Sequence, residues 1–162
     1  MIHWFFCFCA VLSLASCIQV PLGIDKVEQY KNVMFSNPKP SFTKSSSFRS
    51  DHSWVHNQSG AVISYKSECS KQSLDAKDFL QNITNEFYTH SITEIQSFKF
   101  NSRKAYRQKL QTEVEGIPTK FDLVVFKKYG CVFLVTHTSV AEVFEQTSES
   151  FQNFLTTFKV QR

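Results

Sequence analysis

Glycine is scarce in this chain: only Gly23, Gly60, Gly116 and Gly130 occur in 162 residues. A phosphate-cradling loop needs several glycines close together, so the nucleotide-binding signatures are excluded. Cys-x-x-Cys is absent, and with it the simplest dithiol redox motif. No Gly-x-Ser-x-Gly elbow exposes any of the many serines as a hydrolase nucleophile. Charge is missing from the start of the chain, where no Lys, Arg, Asp or Glu precedes Cys17.

What fills that uncharged start is apolar. The run Ile2 to Leu14, "IHWFFCFCAVLSL", is too short to cross a bilayer as a helix, which takes about 20 residues. Its length suits the hydrophobic region of a signal peptide. Ser13 and Ala15 offer ordinary signal peptidase its two small side chains. The stretch "LASC" also resembles a bacterial lipobox: Leu14, the small Ala15 and Ser16, then Cys17, whose thiol would take a diacylglycerol. It departs from that pattern in having only the α-amine and His3 as cations near the start. Cysteine parity separates the two cuts. Of five cysteines, Cys7 and Cys9 leave with either signal peptide. Cleavage after Ala15 then leaves an odd three, with one loose thiol in an oxidising compartment. Lipidation of Cys17 leaves an even two, Cys69 and Cys131. Residues 1–16 are therefore expected to be a lipoprotein signal peptide. Ile18, in place of the Asp that often retains lipoproteins in the inner membrane, points to the outer membrane, facing the periplasm. A eukaryotic secreted protein is the other address, since "NQS" and "NIT" are formal glycosylation acceptors.

The charge balance is 18 Lys plus Arg against 14 Asp plus Glu, a net of +4. So small an excess is an ordinary protein surface and no nucleic-acid footprint. Phenylalanine alone counts 17, enough to fill the core of one domain.

Residues 17–40 read as a lipid-anchored tether, with Pro21, Gly23, Pro38 and Pro40 and no sustained period. The domain is expected over 41–162. "SFTKSSSFRS" is a loop or an edge strand built on Phe42 and Phe48. "SWVHNQSGAVISYKSEC" has the alternation of a hairpin turning at "NQSG". In "SLDAKDFLQNITNEFYTH" the period becomes helical, with Phe79, Leu80, Ile83 and Phe87 on one face and Ser73 or Asp75 as cap. "SITEIQSFKF" is a strand, and "NSR" turns it into "KAYRQKLQTEVE". There Tyr106, Leu110 and Val114 share one face, and Arg107, Lys109 and Gln111 the other. "GIP" breaks the chain before "TKFDLVVFKK", and "KYG" leads into "CVFLVTHTSV", two strands apolar enough to be covered on both faces. "SESFQNFLTTF" closes as a helix on Phe151, Phe154, Leu155 and Phe158. The expected fold is α+β: an antiparallel sheet of about six strands sandwiched by helices.

These residues also resemble a family. "SGAVISYKSEC", the amphipathic helix, "SRKAYR", "EGIPTKFDLVVFKKYGCVFLVTHTS" and the Phe-rich helix are similar to small bacterial envelope lipoproteins, over residues 53 to 160. The resemblance implies a PsbP-like fold, as in PsbP and the lipoprotein DcrB, with no catalytic motif to carry over. It implies a pairing of Cys69 with Cys131 and supports lipidation at Cys17. Such a bridge closes a loop of about 60 residues, nominally worth 3 to 5 kcal/mol. A nucleophilic or redox cysteine is the alternative, and it needs a neighbouring base and a depressed pKa.

Other chemistry is sparse. His52 and His56 have helical ligand spacing, and with Asp51 they outline a zinc site only if further ligands converge. His137, in an apolar strand, reads as a hydrogen-bonded sheet residue, and His90 carries no motif. Glu113 and Glu115 share a strand face as a formal acid–base pair. Arg103, Lys104, Arg107, Lys109, Lys127 and Lys128 form a basic contact surface if their two turns adjoin, suited to anionic headgroups or an acidic partner. No cofactor and no catalytic residue is expected. The function read from the sequence is a non-catalytic accessory or binding module held to the membrane by lipid, with an envelope protein partner. The alternative is a carrier of a lipid or small apolar ligand, in a pocket behind Phe79, Ile83 and Phe154. An unrecognised hydrolase would need convergent polar groups in a cleft.

Overall fold

A computed structural model describes residues 28–38, 41–46, 49–70 and 74–162. The expected lipobox (Leu14, Ala15 and Ser16) and Cys17 lie outside the described residues, as do Phe48 and Ser73.

The architecture is α+β, an antiparallel sheet with a helix on each face. In chain order its elements are β1 (Val33–Met34), β2 (Phe42–Ser45), β3 (His52–His56), β4 (Val62–Cys69), α1 (Ala76–Asn85), β5 (Thr89–Ile92), β6 (Gln96–Phe100), β7 (Arg103–Val114), β8 (Ile117–Lys128), β9 (Cys131–Val140), α2 (Phe144–Thr157) and β10 (Lys159–Val160). The main sheet runs β2-β3-β4-β9-β8-β7-β5, with β6 also on β7. It has eight strands, against about six expected. One extra strand is β2, from the stretch that the sequence reads as a loop or an edge strand. The other arises beyond β7, where residues 89–100 form two short strands that share one partner in succession.

Three two-residue hairpin loops set the register of β6 through β9. Their central pairs all have positive φ: Asn101 and Ser102, Glu115 and Gly116, Tyr129 and Gly130. That is the turn whose twist matches the strands it joins, and Gly116 and Gly130 take the left-handed conformation without a Cβ penalty. "GIP" is therefore no break: Ile117 pairs with Val114, and Pro118 stands within β8 opposite Glu113. Glu115 is in the turn, so it does not share a strand face with Glu113.

Alternation along the strands divides the apolar residues between two cores. On one face α2 lays Phe151, Phe154 and Leu155, with Phe158 after it, over Ile63, Tyr65, Val124, Phe126, Phe133 and Val135. On the other, α1 lays Ala76 and Leu80 over Leu110, Leu123, Val125 and Val132, with Phe79, Ile83 and Phe87 alongside. Asp75 begins α1, its carboxylate accepting from the Lys77 amide at 2.8 Å. Phe79 and Ile83 thus lie across the sheet from Phe154, so no single pocket can lie behind all three.

The tether expected to reach residue 40 ends sooner. Glu28 bridges to Cys69, Val33 pairs with Val160, and the Phe35 ring packs among Trp54 at 5.2 Å, Tyr65 at 5.4 Å and Phe154 at 5.8 Å. The half-buried Phe35 ring, the β1–β10 pairing and the Glu28 bridge together hold this segment on the domain. Residues 28–38 therefore belong with the fold.

Candidate functional site

Cys69 and Cys131 face each other directly across β4 and β9, and their sulfurs are bonded at 2.07 Å. Bonded sulfurs are not available as a nucleophile. The bridge lies at one end of the sheet, where β4 and β8 finish and β7 and β9 begin.

A buried polar cluster lies beneath α2. Asp122 is 1% exposed and accepts from Arg107 Nε at 2.7 Å and from Arg107 Nη2 at 2.5 Å. That hydrogen bonding is the main reason the guanidinium holds its proton more firmly than usual; burial opposes it and the carboxylate charge adds to it. Arg107 Nη1 also donates to Gln152 Oε1 at 3.3 Å, tying the pair to α2. His137, opposite Asp122 on β9, is fully buried, with Nε2 2.8 Å from Thr147 Oγ1. Burial lowers its pKa to about 4, against the opposing pull of Asp122 and Glu145. The imidazole is therefore neutral at pH 7, and its ring lies between Phe144 at 4.5 Å and Phe151 at 5.5 Å. A sheet histidine bonded through Nε2 to a hydroxyl, with Nδ1 buried and without a hydrogen-bond partner, fits this environment, and a solvent-facing base does not.

Beside this cluster runs a groove of about 180 Å³, lined by Ser91, Thr93, Lys109, Lys120 and Phe144 among others. Both lysine ammoniums lie over the Phe144 ring, at 6.0 and 5.7 Å. Lys109 Nζ is also 4.0 Å from Asp122.

The residues that outline a conceivable zinc site are engaged otherwise. Asp51 accepts from the Ser67 amide at 2.9 Å and from its hydroxyl at 2.5 Å. Ser67 in turn accepts from the Tyr30 amide at 2.8 Å. His52 stacks on Tyr65 at 5.3 Å, and its pKa is lowered, first by burial and then by Lys44. His56, at the far end of β3, has Nδ1 2.8 Å from Ser59 Oγ. Among the described residues, no group of three His, Cys, Asp or Glu is placed to hold a metal.

The basic residues divide. Arg107 and Lys109 turn to Asp122 and leave the expected contact surface. Arg103, Lys104, Lys127 and Lys128 gather at the disulfide end, where the β6–β7 and β8–β9 turns adjoin. Lys128 Nζ donates to the Val160 carbonyl at 2.8 Å. Sequence reasoning missed Lys99, which stands directly opposite Lys104, because its partner is fixed only by hairpin register. Asp122 was missed too, although it is the one carboxylate in the apolar strand "FDLVVF". A buried carboxylate there needs a cation beside it.

No protein-family profile matches the chain, and no curated protein is similar to it in sequence. Solved structures are similar in fold. LpqN, involved in cell envelope biogenesis of Mycobacterium tuberculosis, superposes with a TM-score of 0.64 at 10% identity, over 85% of this chain and 87% of that one. The cyanobacterial PsbP (CyanoP) of Synechocystis gives 0.55 at 12% identity, over 91% and 99%. PA94 of Pseudomonas aeruginosa gives 0.52 at 15% identity, over 78% and 85%. At such identities the likeness is one of fold. The chain has a PsbP-like α+β architecture.

Proposed function

We propose that this chain is a lipid-anchored module of the bacterial cell envelope, facing the periplasm from the outer membrane, with a non-catalytic accessory or binding role. Residues 1–16 are the signal peptide, Cys17 carries the lipid, and the disulfide-linked domain works beside the membrane. The observation that carries this reading is the Cys69–Cys131 disulfide, which leaves Cys17 as the one cysteine beyond the signal peptide without a partner in that pairing. An anchor there would also stand close to the fold. Glu28, bridged to Cys69, follows Cys17 by eleven residues, a span of at most about 40 Å. An anchor so close raises the domain's effective concentration for partners on the same membrane. A disulfide suits the oxidising compartment that a signal peptide would reach. The accessory reading draws support from Asp122, buried and paired with Arg107, and from half-buried Asp51, which accepts from Ser67 through Oδ2. The likeness in fold to an envelope-biogenesis protein agrees with the address.

The test is fractionation of Cys17→Ser in a bacterial host. The variant should fold, keep its disulfide and leave the membrane fraction for the soluble one. A variant that still sediments with membranes contradicts the anchor. In-cell crosslinking of the anchored protein then identifies its envelope partner. Recovery of a recurrent lipid with no protein would favour the carrier reading.

A further inference from the structure

The disulfide end of the sheet carries an arrangement of charge that hairpin stability alone does not favour. Lys99 faces Lys104 across β6 and β7. Ala105 faces Phe126 across β7 and β8, so the next pair outward is Lys104 with Lys127. Directly paired residues share a face, which puts Lys99, Lys104 and Lys127 in one row over three adjacent strands. Like charges placed opposite each other destabilise a sheet, and an anion shared between them removes the penalty. Beside this row a groove of about 300 Å³ is lined by Ser97, Phe98, Lys99, Ser102, Arg103 and Lys104. Lys159 and Arg162, both exposed, follow from the C-terminal strand, which Asn101 holds to the same hairpin by bonds to Phe158 and Val160. Among the described residues Glu68 continues the lysine row, since it faces Val132, which faces Lys127, and it is paired with Lys66. The Lys99–Lys104 pair stands at the other end of the row, beside the groove.

Exposed apolar side chains accompany the cations: Met34 is 55% exposed, Tyr129 42% and Phe98 36%. Phe98, opposite Ala105, is on the other face from the lysine row, so the two meet only at the end of the sheet. Cations and apolar tips gathered at one end suit a surface that seats in lipid headgroups. The chain also enters the fold at this end. Glu28 bridges to Cys69, and Tyr30 stacks on Tyr129 at 6.0 Å.

We propose that this end of the sheet is the membrane-facing surface, with the Lys99–Lys104–Lys127 row and the adjoining groove receiving the phosphates of anionic lipid headgroups. The proposal rests on the lipid anchor at Cys17, which delivers the domain to the bilayer by the end that carries the row. Anchor and row then act as the two signals that stable membrane attachment requires, one hydrophobic and one electrostatic.

The experiment uses the full lipidated protein in phosphatidylcholine vesicles, with and without phosphatidylglycerol, and reads amide hydrogen exchange. Exchange in residues 96–104 and 127–131 should slow at least about threefold when phosphatidylglycerol is present. High salt should remove the effect, because screening shortens the reach of the charges. K99E/K104E should abolish the protection while the protein stays on both kinds of vesicle. Equal exchange in the two compositions, with the protein still vesicle-bound, overturns the orientation and leaves the anchor standing. Protein recovered free of both vesicles overturns the anchor and the orientation with it. Inorganic phosphate giving the same protection on phosphatidylcholine vesicles assigns the row to a soluble anion and overturns the membrane claim.

Discussion

Arg107 and Asp122 form a two-pronged ion pair across β7 and β8, with the carboxylate shut away from water and the guanidinium reaching on to Gln152 of α2. Removing one partner strands the other. Arg107→Met should cost about 3 to 5 kcal/mol, because the Asp122 charge stays buried. Lys109, 4.0 Å away, keeps the loss toward the low end. The double variant Arg107→Met/Asp122→Leu should recover most of it, since an apolar pair leaves no unpaired charge. Urea unfolding of the two variants beside the parent measures both effects. Equal loss in the single and double variants would show that the site is held by shape rather than charge.

His137 makes stability depend on pH in a defined direction. Its folded pKa, about 4, lies below the ordinary histidine value of about 6.5. Between those values the unfolded chain binds a proton that the folded chain refuses, so stability falls as pH drops from about 6.5 towards 4. The full difference amounts to about 3 kcal/mol. Lys109 and Arg107, which face the ring with Asp122 and Glu145, also oppose its protonation. His137→Leu should flatten the slope in this window, as read from urea midpoints across pH. A slope unchanged in the variant would place the proton uptake elsewhere.

The disulfide joins residues 62 apart in sequence. By loop entropy its loss should cost about 4 kcal/mol. Cys69→Ser/Cys131→Ser, compared with the parent by thermal and urea unfolding, measures this. A loss under about 1 kcal/mol would mean that the β4–β9 ladder already restricts the reduced chain.

Phe35 tests where the domain begins. Its half-buried ring meets His52, Trp54, Tyr65, Phe154 and Phe158, so Phe35→Ala should cost about 2 kcal/mol, less than truncating a fully buried Phe. A tether residue would cost nothing measurable. The neighbouring exposed Met34, changed to Ala, serves as the control and should stay within about 0.5 kcal/mol.

Much of the architecture was legible in the sequence, because period is a local property. The helical spacing of Phe79, Leu80 and Ile83 and the turns at "NQSG" and "KYG" needed only neighbouring residues. What was not legible depended on register or on which face of the sheet an element covers. Phe79 and Phe154 look alike in sequence, yet they serve opposite cores. Lys99 and Lys104 become a pair only once the Asn101–Ser102 turn is set. Residues 28–38 show no period because their contacts are single rings and one short β-pair, each with a distant partner. Arg107 reads as a surface cation until the strand beside it supplies Asp122.

The central claim is that Cys17 carries the lipid and begins the mature chain. Intact mass spectrometry of the protein extracted from membranes tests it most directly, with fragmentation of the N-terminal peptide. The account predicts a chain that starts at Cys17 and bears a diacylglyceryl group on its sulfur. A mature chain that starts at another residue, or an unmodified Cys17 thiol, would contradict it.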